Sequence, residues 1–202
     1  FARLGTKNSS GTKVLSVSGD CERPGIYEIE WGMPVRELMN LCGAPDPYYV
    51  QMSGPSGQCI SKKELNRAIC REDLLCGGSV MIFNQKRDIL RILQNFSAFF
   101  RRESCGMCTP CRAGNFIFSR KLERMGRNLG TADDLVEIRN WSKILKNASR
   151  CGLGQMSSNA LVMALDKFPA YFNELIQHSQ ATYNRGFDLN SALEDYQAIV
   201  KK

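Results

Sequence analysis

Three cysteines separated by two residues each, Cys105, Cys108 and Cys111 in Glu103-Ser-Cys-Gly-Met-Cys-Thr-Pro-Cys-Arg-Ala-Gly114, constrain this chain more than any other stretch. A fourth, Cys151, follows in Arg150-Cys-Gly-Leu-Gly154. Two-residue gaps let one tight loop present three thiolates to a polynuclear centre, while the fold brings the last ligand from a distance. Soft thiolates grouped three plus one suit a cubane 4Fe–4S cluster. A structural zinc site also accepts four cysteines, although its usual signature is two separated C-x-x-C pairs. Ordinary buried cysteines or a disulfide framework are the remaining readings.

The rest of the composition narrows the setting. A chain of 202 residues holds one large domain or two small ones. With 43% hydrophobic and 23% charged residues it is globular rather than disordered. No apolar run approaches the roughly eighteen residues of a membrane span, and no secretory signal opens the sequence. The Ser/Gly/Lys-rich start, residues 1–11, reads as a linker, and a first residue Phe1 suggests the C-terminal piece of something longer. Nine cysteines, an odd number without secretory context, argue against a disulfide scaffold and for reduced, cytoplasmic surroundings. Cys21, Cys42, Cys59, Cys70 and Cys76 share no spacing, so they are expected to be small buried hydrophobes.

A net charge of +7 first suggests nucleic acid, but its distribution points elsewhere. From Lys86 to Arg127 ten Lys/Arg stand against three acids, and this excess surrounds the cysteine run. Cations near an anionic thiolate cluster stabilise it and raise its reduction potential; a solvated basic face is the plainer reading. No nucleic-acid motif or aromatic stacking platform accompanies the charge.

Taken in order, the chain reads as α+β. Lys13–Gly19 and Gly25–Glu30 alternate as short strands, joined by turn chemistry at Pro24 and Gly25. Pro34 opens a helix carrying Val35, Leu38, Met39 and Cys42, and Gly43 closes it. A loop with Pro45, Pro47, Gly54, Pro55 and Gly57 leads to a last strand, Ser79–Asn84. Strands, a helix and later strands predict a small β-grasp, ubiquitin-like domain over 12–85.

The period then becomes helical. Ile89, Leu90, Ile92, Leu93, Phe96, Phe99 and Phe100 form one stripe. A second helix runs from Pro110 through Phe116, Leu122 and Met125 to Gly126. A third starts at Thr131-Ala-Asp-Asp134 and carries Leu135, Ile138, Trp141 and Leu145. Cys151-Gly-Leu-Gly154 is expected to be a turn, because it lacks the preceding strand and third glycine of a dinucleotide fingerprint. Ser157 or Ser158 caps a fourth helix, interrupted at Pro169 and resumed to Ile176. The prediction is an all-α four-helix bundle over 86–178, followed by a polar tail at 179–202 with an amphipathic stretch between Phe187 and Val200. The lone His178 reads as a surface residue, which leaves no acid–base machinery near the cysteines.

The cysteine motif and Arg150-Cys-Gly-Leu-Gly154 resemble the NADH-binding flavoprotein subunit family of respiratory complex I and its soluble relatives in NAD-linked nickel–iron hydrogenases and formate dehydrogenases. Gly19-Asp-Cys-Glu-Arg-Pro-Gly-Ile-Tyr27 is similar to that family's SLBB β-grasp domain. Arg150–Gln155 and Lys167-Phe-Pro169 look more like the hydrogenase or formate dehydrogenase branch than like complex I, and Gly186–Leu193 is similar to the end of the diaphorase large subunit of NAD-reducing hydrogenase, the branch favoured here. The resemblance implies a 4Fe–4S cluster on Cys105, Cys108, Cys111 and Cys151, tuned by Thr109, Arg112 and loop amides. It implies FMN and NAD(H) on a preceding Rossmann-like domain that nothing here matches, so this segment relays electrons and carries no hydride site. It further implies partner subunits: a small diaphorase iron–sulfur subunit, a thioredoxin-like 2Fe–2S subunit or domain, and hydrogenase subunits. A formate dehydrogenase or complex I setting is the alternative, and a zinc-stabilised interaction module is the alternative of another kind.

Overall fold

The computed structural model describes residues 1–177; His178 and the amphipathic stretch expected at 187–200 lie outside the described residues. Two strands, β1 (Thr12–Gly19) and β2 (Gly25–Glu30), pair antiparallel as the alternation predicts. Leu15, Val17 and Ile29 are buried, while Ser16, Ser18 and Glu28 stand outside the core. Helix α1 (Val35–Leu41) follows Pro34 and buries Val35, Leu38 and Met39 on one stripe. The strand order is β2-β1-β5-β3-β4, with β5 (Ser79–Phe83) running parallel to β1 at the centre.

The region read as a loop contains two further strands, β3 (Tyr49–Met52) and β4 (Gln58–Ser61), paired antiparallel around a 3-10 turn at Gly54–Ser56. All four residues of β3 are buried. One face, Val50 and Met52, joins the core under α1; the other, Tyr49, joins the helical core together with Cys59 from β4. A strand covered on both faces shows no polar alternation, which is why its period is invisible in sequence. Gln51 is fully buried yet satisfied: its amide donates to Gly54 O at 2.7 Å and its carbonyl accepts from the Tyr49 hydroxyl at 2.7 Å.

The Ser/Gly/Lys stretch before β1 is bound to the sheet rather than loose. Gly5 N donates to Glu30 Oε1 at 2.6 Å, and the hydroxyls of Thr6 and Ser9 both donate to Glu72. Composition marks flexibility; the carboxylates that anchor this stretch sit far away in sequence.

Beyond Asp88, which caps its N-terminus by accepting from Leu90 N, α2 (Ile89–Glu103) buries the predicted stripe apart from the partly exposed Phe99. Helix α3 (Thr109–Gly126) packs on α2 and on α4 (Ala132–Ala148). Phe116 on α3 is about half exposed, with the Arg101 guanidinium over its ring at 5.2 Å. Cys151-Gly-Leu-Gly154 is not an open turn but the start of a short helix, α5 (Gly152–Met156), with Cys151 at its N-cap. The predicted interruption at Pro169 separates α6 (Asn159–Lys167) from α7 (Pro169–Gln177). The link between α6 and α7 also fastens the helices to β3 and β4. Phe168 stacks on Tyr49 (centroids 5.7 Å apart), and Lys167 Nζ donates to Cys59 O at 2.5 Å and Glu64 Oε1 at 2.7 Å.

Candidate metal centre

Two helix-to-helix connections meet at one end of the α3–α4 pair. The first runs from Ser104, the C-cap of α2, to Cys108, the N-cap of α3; the second runs from Ser149, the C-cap of α4, to Cys151. Pro110 sits in the first turn of α3, where its missing N–H costs nothing, so the loop passes directly into helix and Cys111 becomes a helical residue. Close approach of the pieces depends on two glycines. A Cβ on Gly114 would lie 2.0 Å from Leu145 Cδ1, so only glycine lets α4 lie this close to α3. A Cβ on Gly154 would lie 2.6 Å from Ser149 Oγ and 3.0 Å from Cys111 Cβ, so glycine again lets α5 settle against the cysteine loop. At the opposite end of the α3–α4 pair, Asp134 completes a capping box with Thr131 and accepts from Lys121 Nζ at 2.6 Å.

All four cysteines of the motif line one cavity of about 240 Å³, together with Glu103, Ser104, Met107, Arg150 and Leu153. Cys111 is buried, Cys108 half-buried, and Cys105 and Cys151 exposed. The structure thus brings together the loop trio and the remote cysteine that the sequence singles out. Backbone N–H groups of Arg150 and Cys111 hydrogen-bond the Cys108 sulfur and hold its thiol below the ordinary value. That contact also joins the two connections, since Arg150 immediately precedes Cys151. Arg112 does not reach a sulfur; its Nη1 donates to Gly106 O at 2.9 Å and braces the loop instead.

Sequence reasoning missed the side chains closest to sulfur. Ser104 Oγ and Asn115 Nδ2 each lie 3.4 Å from Cys111 Sγ. The signal for Asn115 was present as a polar residue one turn beyond a helical cysteine, where i and i+4 share a face. Ser104 carried no comparable signal, because its contact spans the loop.

The other five cysteines separate cleanly from this group. Cys42, Cys59, Cys70 and Cys76 are buried as expected, whereas Cys21 is partly exposed at the edge of the core under α1. Burial pushes the Cys42 thiol up to about 11 and the Cys59 thiol up to about 12.

A soft, four-sulfur wall fits a polynuclear iron–sulfur group. Among the described residues no three His, Cys, Asp or Glu side chains converge closely enough to hold a single metal ion. The buried hydroxyl of Ser149, two residues before Cys151, has no hydrogen-bond partner, so a polar group at this end of the fold is still open to a contact. No helix among the described residues is long and apolar enough to cross a membrane.

Comparison with known proteins converges on the same place. Residues 91–175 match the NADH-ubiquinone oxidoreductase-F iron–sulfur binding region. The whole chain aligns at 44% identity with the alpha subunit of the NAD-reducing hydrogenase HoxS of Cupriavidus necator, of which it covers 34%. At 32% identity, 83% of the chain aligns with the NADP-reducing hydrogenase subunit HndC of Solidesulfovibrio fructosivorans, covering 36% of that protein. A crystal structure of NAD+-reducing nickel–iron hydrogenase in the H2-reduced state superposes with a TM-score of 0.84 at 32% identity, over 100% of this chain and 36% of that one. The chain therefore spans about a third of the length of these relatives. Through residues 91–175 the chain belongs to the family of the NADH-ubiquinone oxidoreductase-F iron–sulfur binding region, and over its whole length it is similar to the alpha subunit of an NAD-reducing hydrogenase.

Proposed function

We propose that this chain relays single electrons through a 4Fe–4S cluster ligated by Cys105, Cys108, Cys111 and Cys151. One observation carries the reading: four thiols from two separate connections share the wall of a single cavity of about 240 Å³. Three thiols at two-residue intervals plus one remote thiol suit a polynuclear group, whereas a structural zinc site is usually built from two C-x-x-C pairs. When bound, the cluster supplies reversible one-electron chemistry. The protein holds the thiolates, braces the loop through Arg112, and places Arg150 in the cavity wall as a cation that favours anionic ligands.

In this reading residues 12–85 form an SLBB-type β-grasp domain, supported by the parallel β1–β5 centre and α1 packed on one face. Residues 86–178 form the cluster-binding helical bundle, its four long segments interrupted by α5 and by the break before Pro169. The segment before residue 12 links to a preceding domain carrying FMN and NAD(H). The 44% identity to the HoxS alpha subunit favours an NAD-reducing hydrogenase, with electrons exchanged between flavin and partner iron–sulfur subunits. Such partners include a small diaphorase iron–sulfur subunit and a thioredoxin-like 2Fe–2S subunit or domain. Nine free thiols support a reduced, cytoplasmic setting.

The test is to purify the chain without oxygen and measure iron, sulfide and zinc. The expected result is a brown protein with stoichiometric iron and sulfide and a low-temperature EPR signal on reduction. A colourless protein holding one zinc per chain would overturn the relay and leave an interaction module.

A further inference from the structure

Cys111 differs from the other three site cysteines in its depth and in its neighbours. Asn115 is only 2% exposed and donates from Nδ2 to Cys111 Sγ at 3.4 Å. Ser104 Oγ lies 3.4 Å from the same sulfur and accepts the Gly106 N–H at 3.3 Å. That acceptance leaves the hydroxyl proton for sulfur, and a metal-bound thiolate has no proton of its own to give, so both contacts run as donors to Cys111. Around Cys108 the donors are backbone amides instead.

We propose that Ser104 and Asn115 set the reduction potential of the centre by hydrogen-bonding the Cys111 thiolate. The inference rests on the four-cysteine ligand reading above. Reduction adds one electron and no proton, so negative charge on the ligand sulfurs increases. Donors to sulfur then stabilise the reduced state more than the oxidised one and raise the potential. Both groups act through Cys111, which makes them positioning residues rather than ligands. Asn115 and Cys111 are both buried, where a hydrogen bond to sulfur is stronger than in water.

The experiment is an EPR-monitored redox titration of the anaerobically reconstituted chain, with dithionite as the reductant. Ser104 has extended backbone angles (φ −66°, ψ 124°), so β-branched replacements fit there. Ser104→Val should lower the one-electron reduction constant roughly tenfold, about 59 mV in midpoint. Ser104→Thr, which differs from valine only by its hydroxyl, should restore the wild-type value. Asn115→Leu should shift the midpoint in the same direction, and the double variant further. Unchanged midpoints in Ser104→Val and Asn115→Leu at full iron content would overturn the proposal. So would loss of iron from either variant, since the donors would then support ligation rather than tune it. A wild-type chain that takes up no iron would instead sink the cluster reading itself.

Discussion

The cysteines of the sheet and those of the helical connections are the same residue in the same chain, yet their chemistry diverges. Under the sheet, Cys42 and Cys59 are buried among hydrocarbon side chains, and burial pushes their thiols up to about 11 and about 12. At the helix connections, Cys108 has backbone N–H donors and its thiol is held low. The difference teaches that thiolate character comes from donors and exposure rather than from the residue. A cysteine inside a strand or helix finds its neighbouring N–H groups already committed to the ladder. A cysteine at a helix N-cap meets uncommitted ones.

The sharpest way to break this contrast is by substitution on each side of it. Cys105→Ala, Cys108→Ala, Cys111→Ala and Cys151→Ala should each lose or degrade the cluster, read as iron content and EPR amplitude. Cys59→Ala should keep full iron and cost only about 1–3 kcal/mol of packing, read from urea denaturation. Iron retained in Cys151→Ala would remove that residue from the ligand set.

Next in size is the Asp134–Lys121 ion pair at the opposite end of the α3–α4 pair. Burial alone would raise the Asp134 carboxyl, but hydrogen bonds from Lys121 and the Thr131 N–H outweigh it and hold it below its ordinary value. Asp134→Ala leaves Lys121 half-served by Glu137 and breaks the α4 capping box, so a loss of about 3 kcal/mol is expected. The pH dependence follows from the sign of the shift. A depressed carboxyl contributes stability above its unfolded pKa near 3.8 and loses it as pH falls through the lowered folded value. Melting temperatures of wild type and Asp134→Asn should therefore converge on the acid side.

Gly114→Ala tests the helix approach. The added methyl meets Leu145 at 2.0 Å, and about 1–3 kcal/mol should be lost as α4 is pushed away. Gly114→Ala with Leu145→Ala should recover part of that loss.

The smallest effect belongs to the sheet side. Hydrogen bonds from Ser9 and Thr6 hold the exposed Glu72 carboxyl down to about 2. Glu72→Gln should free residues 1–11 to proteolysis while leaving iron content and global melting unchanged. In the wild type the same release should begin as pH drops below about 4.5 and be complete below about 2.

What was legible in the sequence follows from how local each signal is. Helix α1 was readable from Pro34 and its spaced apolar residues, and α4 from the Thr131–Asp134 box, because each start and stop is written within a few residues. Strands β3 and β4 were not, since burial on both faces erased their alternation amid Pro45, Pro47, Gly54 and Pro55.

By itself the sequence determined the chemistry: sulfur type, number and the two-residue intervals are fixed by the covalent chain, and a soft-metal site follows from them. Only the tertiary structure decided the environment. The joining of Arg150 N–H to Cys108 and the glycine-permitted approach of α4 and α5 depend on segments far apart in the chain. Hydrogen bonds act over about 3 Å, a distance that residue order sets only after the backbone has folded.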